Sequence, residues 1–239
     1  MTKPLLLITR PQASADRFVA LLSQDARAQS SIVISPLLRI IPTGDQPDLS
    51  SYAGVIFTSA NAVELCQNGN GLPAYCVGET TAKVAATSGW TVVTTAMNAD
   101  GLVENIIKAN AFGPLLHMAG RHRRGNISER LSVHGAQVDV HTLYDQELLP
   151  LSEKAQSLLH GEAHVVVPLF SPRTAKRFIE QAQQLDGVIV VAISDAVATV
   201  CKGVRDLRIA RKPNRQEMIL SVEKALCDIT LLEGRTDAG

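Results

Sequence analysis

The sequence predicts an α/β fold of two domains, each a parallel sheet with helices on both faces, joined by a two-stranded β connection. Three observations carry this. First, short apolar strands alternate with helical stretches along the whole chain, the pattern of parallel sheets. Second, a strand–turn–helix unit at Gly54–Glu64 recurs in Val165–Phe178, with Phe170-Ser171-Pro172 where Thr58-Ser59-Ala60 stood. A second such unit follows each of them, Tyr75–Ala82 and Val191–Ala198, in the same order and at similar spacing. Third, two apolar β-type runs, Leu37–Pro42 and Val138–Leu148, read as a bridge between domains and its return. The first lacks the turn chemistry expected before a helix. The first domain is therefore expected from residues 1–36 plus 149–239, the inserted second domain from 43–137, and the linkers from 37–42 and 138–148.

Taken in order, Pro4–Thr9 is a buried strand ended by Arg10-Pro11, and Gln12 or Ser14 opens a helix with apolar Phe18, Leu21 and Leu22. Ser31–Pro36 is a strand. After the bridge, Val55–Thr58 is a buried strand, and Ser59 and Asn61 are cap formers before a helix. That helix ends in the breaker-rich turn 68–73. Tyr75–Val77, Trp90–Thr94 and Leu115–Met118 are strands. Glu79–Ser88, Asn98–Asn110 and Ile127–His134 are helices, the second with Asp100 near its N-cap. Gly120–Asn126 is a basic loop. Ser152 caps a helix after the return. A strand at 204–210, a last helix at 215–226 and a disordered tail at 233–239 complete the chain.

Composition narrows the function. The chain has 239 residues, with Lys plus Arg equal to Asp plus Glu at 23 each, so no global field points to nucleic acid or an anionic membrane. Aromatics are few, which argues against a stacking platform for single strands. The apolar part of the N-terminus is too short for a signal-peptide core and no run reaches membrane-spanning length, so a cytoplasmic protein is expected. Cys66, Cys76, Cys201 and Cys227 are scattered, which predicts neither disulfides nor a zinc site, and Cys76 reads as a small buried hydrophobe. His117 and His122 read as structural or solvated rather than metal ligands. No Gly-x-Gly-x-x-Gly, Walker loop or Gly-x-Ser-x-Gly is present.

What remains is an edge chemistry. A strand that ends in hydroxyl residues and turns at once into a helix presents free N–H groups where anions are held. Ser59 and Ser171 read as caps, not nucleophiles. The loop from Gly120 to Gly125, with Arg121, His122, Arg123 and Arg124, is either a solvated loop or a clamp for a polyanion. Tyr144 either packs on its strand or faces a cleft between the domains. Read this way, the chain suits a small polyanionic substrate.

The segments Leu7–Pro11, Ile56–Val63, Val77–Ala82, His117–Asn126, Leu143-Tyr144, Phe170–Pro172 and Ala192-Ile193, in this order and spacing, resemble uroporphyrinogen-III synthase over nearly the whole length. The resemblance implies two flavodoxin-like domains and a monomer working without cofactor or metal. It implies closure of hydroxymethylbilane, a linear tetrapyrrole with eight carboxylates, to uroporphyrinogen III. The last ring is inverted and water lost, through an azafulvene and a spiro intermediate. By position it implies Tyr144 as the group assisting hydroxide loss. It implies substrate binding at Arg10, Thr58, Ser59, Asn61, Gly78, Thr81, Gly120, Arg121, Ser171 and Ser194, largely through backbone N–H groups at Thr58, Ser59, Asn61 and Gly78. Ser194-Asp195-Ala196-Val197 departs from the Gly-Pro-Thr-Thr of relatives and brings a carboxylate to this turn. A non-enzymatic binder of a small polyanion or tetrapyrrole is the alternative from a different class.

Overall fold

A computed structural model describes residues 3–123, 125–161 and 163–236, with backbone alone for 232–236. The chain divides into two compact units, Met1–Arg39 with Leu148–Gly239, and Ile40–Glu147.

In the first unit, strands β1 (Leu5–Ile8), β2 (Ser31–Ile34), β9 (Val165–Leu169), β10 (Val188–Ala192) and β11 (Asp206–Ile209) form a parallel sheet in the order β2-β1-β9-β10-β11. The central strands β9 and β10 are buried at every position, as both faces are covered. Alternate residues feed two cores. Leu7, Val165, Val167, Val190 and Ala192 pack under α7 (Glu153–Leu159) and α8 (Pro172–Gln181). Leu6, Ile8, Val166, Ile189 and Val191 pack under α1 (Gln12–Ala20) and α10 (Arg215–Thr236). The short helices α2 (Gln24–Gln29) and α9 (Asp195–Ala198) complete the unit.

In the second unit, β4 (Gly54–Phe57), β5 (Pro73–Val77), β6 (Thr91–Ala96), β7 (Leu115–Gly120) and β8 (Val138–Leu148) run parallel in the order β8-β7-β4-β5-β6. Helices α3 (Ala60–Glu64) and α4 (Glu79–Thr87) cover the Val55, Phe57, Cys76 and Met118 face. The other face, with Ile56, Tyr75 and Leu115, lies under α5 (Ala99–Lys108) and α6 (Ile127–Val133). The connecting strand β3 (Leu38–Pro42) pairs with β8. The Thr43 N–H donates to the Leu143 carbonyl at one end and the Leu149 N–H to the Leu37 carbonyl at the other, so these two strands run antiparallel.

The two parallel sheets share one plan. Counted from β1, the first reads 2-1-3-4-5, the flavodoxin-like order. Counted cyclically from β7, the second reads the same. β9 then corresponds to β4 and β10 to β5, which are the strands of the recurring turns. In each sheet the order reverses between the first and third strands, and such a switch point opens a crevice at the carboxyl ends. These ends are Thr9-Arg10 beside Phe170-Ser171 in one unit, and Gly120 beside Thr58-Ser59 in the other.

Several local expectations are corrected. α2 is absent from the sequence reading, because it buries no residue and so shows no apolar period. The start of α5 is as expected, with Asn98 as its N-cap, accepting the Gly101 N–H at 2.9 Å, and Asp100 in its first turn. Gly120 belongs to β7, not to the basic loop. α10 runs to Thr236, so 233–236 are helical and not a tail. The reason is packing: buried Ile229 continues the stripe of Met218, Val222, Ala225 and Leu226. Residues 237–239 of the expected tail, and Arg124 of the basic loop, lie outside the described residues.

Candidate active site

At the carboxyl edge of the second sheet, β4 ends in Thr58 and turns through Ser59 into α3. Ser59 is extended (φ −155°), and its Oγ accepts the Asn61 N–H at 3.2 Å. The Tyr144 phenol belongs to the same edge. Tyr144 is buried, and burial pushes its pKa up while the Ser59 side chain pulls the other way. Thr58, Ser59 and Asn61 are all half-buried.

One strand over, β5 turns into α4 through Gly78, in the left-handed region at φ 84°, where glycine is favoured. Its N–H is engaged by the Ala96 carbonyl at 2.8 Å. The N–H groups expected to receive carboxylates at Asn61 and Gly78 are therefore both occupied. The free ones are the next in line. No side chain caps α4, and its first intrahelical bond runs from Ala82 to Gly78, so the N–H groups of Glu79, Thr80 and Thr81 lack a helical partner. Thr81 is itself buried.

The end of β7 and the stretch of β8 beside it add Gly120, Arg121, Tyr144 and Asp145. Arg121 Nε donates to Asp145 Oδ2 at 2.7 Å, and His122 Nε2 stands 3.6 Å from the other carboxylate oxygen. The carboxylate is held below its usual range by the Gln146 N–H first and then by Arg121. Arg121 therefore reaches this edge already paired. His117, one strand-turn back, is buried. Its Nδ1 is 3.4 Å from Ser128 Oγ, its Nε2 has no described partner, and burial with the Arg123 charge lowers its pKa to about 4.

The first unit repeats this plan. Ser171 caps α8, accepting the Thr174 N–H at 3.1 Å and sharing a 2.9 Å bond with the Thr174 hydroxyl. Ser194 stands at the N-cap of α9 without a side-chain cap bond, and the Val197 and Ala198 N–H groups return to its carbonyl. In both units, then, one turn is closed by a serine (Ser59, Ser171) and its neighbour is left open (Gly78, Ser194). Asp195 follows the open turn in this unit as Glu79 does in the other.

Arg10 leaves β1 at the same edge. Its guanidinium lies 4.1 Å above the Phe170 ring. Burial first, then the charges of Arg17 and Arg215, lower its pKa to about 10. No carboxylate of a described residue pairs with it. The sequence reading missed Phe170 as the platform for Arg10 and Asp145 as the partner of Arg121. No local pattern joins residues so far apart in the chain.

Among the described residues, no three His, Cys, Asp or Glu side chains group as metal ligands, and no helix is long and apolar enough to cross a membrane. Each edge instead offers N–H groups, hydroxyls and a cation, a set suited to carboxylates.

Comparison with known proteins identifies the family. A family model described as uroporphyrinogen-III synthase HemD matches residues 17–219. A uroporphyrinogen-III synthase of Chlorobaculum parvum is 27% identical over 221 residues, covering 83% of this chain and 87% of that protein. The crystal structure of uroporphyrinogen-III synthetase from Helicobacter pylori shares the fold. Its TM-score is 0.66 at 19% identity, over 95% of this chain and all of that one. A mutant synthase structure from Thermus thermophilus reaches a TM-score of 0.52 at 11% identity, over 94% of this chain and 99% of its own. The chain belongs to the uroporphyrinogen-III synthase family, cyclising lyases of tetrapyrrole biosynthesis.

Proposed function

We propose that this chain converts hydroxymethylbilane to uroporphyrinogen III, with Tyr144 as the proton donor to the departing hydroxide. The observation that carries the assignment of Tyr144 is its buried phenol, opposite Gly120 at the carboxyl edge of the second sheet. Loss of hydroxide from the hydroxymethyl carbon needs a proton, and a phenol whose pKa is raised keeps its proton at neutral pH. The rest of the work is positioning a flexible tetrapyrrole so that the cation formed meets the last ring at its substituted carbon. The spiro intermediate that results fragments and closes again with that ring inverted.

Eight carboxylates must be received. The open N–H groups of Glu79, Thr80 and Thr81 suit one class of contact, with Thr58, Asn61 and Gly78 shaping that edge. Arg10, Ser171 and Ser194 serve the first unit's edge. Gly120 and Arg121 flank the phenol. The reading makes the protein a cytoplasmic monomer that needs neither metal nor cofactor.

The test is product analysis. The purified protein is given hydroxymethylbilane, the products are oxidised, and the type I and type III uroporphyrins are separated. Uncatalysed closure gives type I, so a dominant type III isomer establishes the synthase. Type I alone, at the background rate, removes the enzymatic reading and leaves a tetrapyrrole binder. Tyr144→Phe then tests the residue: a fall in kcat with KM little changed supports the assignment, and an unchanged kcat refutes it.

A further inference from the structure

Phe170 follows the last residue of β9, where that strand passes into α8. Its meeting with Arg10 follows from the sheet. β1 and β9 pair Leu5 with Val165 and Leu6 with Val166, and the same register carried forward sets Arg10 beside Phe170. Alternation sends Leu6 and Ile8 of β1, and Val166 of β9, to the face covered by α1 and α10. Arg10 and Phe170 continue these two rows, and Phe170 packs at the rim of that core. The guanidinium carbon lies over the Phe170 ring, 4.1 Å from its centroid.

The ring itself is fixed. Buried Phe18 of α1 meets it at 5.3 Å with the two planes 78° apart, an edge-to-face pair. Just before it in the chain, the Leu169 carbonyl accepts the Ile193 N–H at 3.0 Å. Just after it, Ser171 accepts the Thr174 N–H and opens α8. Arg10, in contrast, lies beyond the end of β1 and reaches the edge on a long side chain with many rotamers. The contact with the ring does not use up its donors. An aromatic face attracts a cation but offers no lone pair to the guanidinium N–H groups. Among the described residues, none pairs with Arg10 through a carboxylate or a side-chain hydrogen bond. A planar fork of donors at the carboxyl edge of a parallel sheet suits a carboxylate.

We propose that Phe170 is a positioning residue: its ring holds the Arg10 guanidinium in the orientation that receives a substrate carboxylate at the edge of the first sheet. This rests on the functional reading above and adds what aims Arg10. Without the ring face the side chain keeps its charge but spreads over several rotamers, and binding must then order it. The effect belongs to binding, so it is read in KM. No bond of the reaction is made or broken at Arg10.

The test measures KM and kcat for type III product on the full chain. Phe170→Leu keeps an apolar side chain and removes the ring face. It should raise KM roughly five-fold, the weight of one cation–π contact, with kcat within about two-fold. Phe170→Tyr, which keeps the face, should restore KM. In an Arg10→Gln background Phe170→Leu should add nothing, because its effect acts through the guanidinium. An equal rise in KM with and without Arg10, the mark of a merely structural ring, overturns the proposal, as does an unchanged KM. A second readout needs no substrate. In protein with isotopically labelled arginine, the Arg10 Nε–H signal is assigned by its loss in Arg10→Gln. The ring current of Phe170 should set it upfield, and Phe170→Leu should return it to the ordinary range. An ordinary position in wild type overturns the proposal even if Phe170→Leu fails to fold. If wild type yields only type I product, the functional reading fails, and titration with uroporphyrin III replaces KM. Non-additive weakening by Phe170→Leu and Arg10→Gln then supports the aiming of Arg10 at a carboxylate, and additive weakening or none overturns it.

Discussion

The guanidinium of Arg10 lies 4.1 Å over the ring of Phe170, which is itself edge-on to Phe18 at 5.3 Å. This stack fixes a cation at the switch point of the first sheet. The site is costly for the free protein, because burial and the neighbouring charges of Arg17 and Arg215 all oppose the charge. With its pKa still about 10, Arg10 remains protonated at neutral pH. A substrate carboxylate would offset that cost. Arg10→Gln is therefore expected to raise KM for hydroxymethylbilane roughly ten-fold, the weight of one charge-assisted hydrogen bond, with kcat little changed. Arg10→Lys should recover part of the loss. A lower melting temperature with unchanged KM would make Arg10 only a brace for Phe170.

The thiols make a simpler test. The folded protein should react with a disulfide reagent quickly at Cys227, its one exposed cysteine. Cys76 and Cys201 are buried, and burial pushes the Cys66 thiol up to about 12 and Cys76 to about 11. The thiolate is the nucleophile, so these three should react only on unfolding. One fast equivalent at pH 8 followed by three in denaturant is the expected count. Two fast equivalents would mean that Cys66 is more open than its place between the Ala62 carbonyl and the Met118 sulfur implies.

The architecture was legible because its signals are local. Strand-to-helix turns with Ser59, Gly78, Ser171 and Ser194 announce carboxyl edges, whereas the run around Leu38 lacks that chemistry and, with the similar run around Val138, becomes the connection. The shared strand order of the two sheets follows from the paired turns. What stayed hidden depends on groups distant in sequence or on features with no period. α2 buries nothing and so leaves no stripe. Arg121 and Asp145 meet only because β7 and β8 lie side by side. The skip at Leu143 in the pairing of β7 with β8 looks, in sequence, like an unbroken strand, so the closeness of the Tyr144 ring to Gly120 could not be read from alternation. The occupied N–H groups of Asn61 and Gly78 depend on a serine rotamer and on the neighbouring strand β6.

The end of α10 gives a stability prediction. Ile229 is fully buried beyond the point where the helix was expected to stop, and Asp228 holds Arg208 of β11 at 2.5 Å. Ile229→Ala should cost about 2–4 kcal/mol, as removal of a buried aliphatic side chain does. A urea titration reads this as a lower midpoint at unchanged slope. A loss below about 0.5 kcal/mol would show that the last turns of α10 do not contribute to the core.

His117 gives the pH dependence. It is 2% exposed, and its folded pKa of about 4 lies below the ordinary value of 6.5. Burial is the main cause, with Arg123 adding like-charge repulsion. Between these values the unfolded chain binds a proton that the folded chain refuses, so stability rises with pH across that window. The contribution is complete above about pH 6.5 and is lost as pH falls toward 4. At pH 5 the loss relative to pH 7.5 should be about 2 kcal/mol. Urea midpoints of wild type and His117→Leu at both pH values isolate the effect, since other titrating groups are common to the two proteins. Wild type should lose about 2 kcal/mol more than the variant on acidification. Equal losses would mean that the His117 ring meets water, or a hydrogen-bond acceptor at Nε2, in solution.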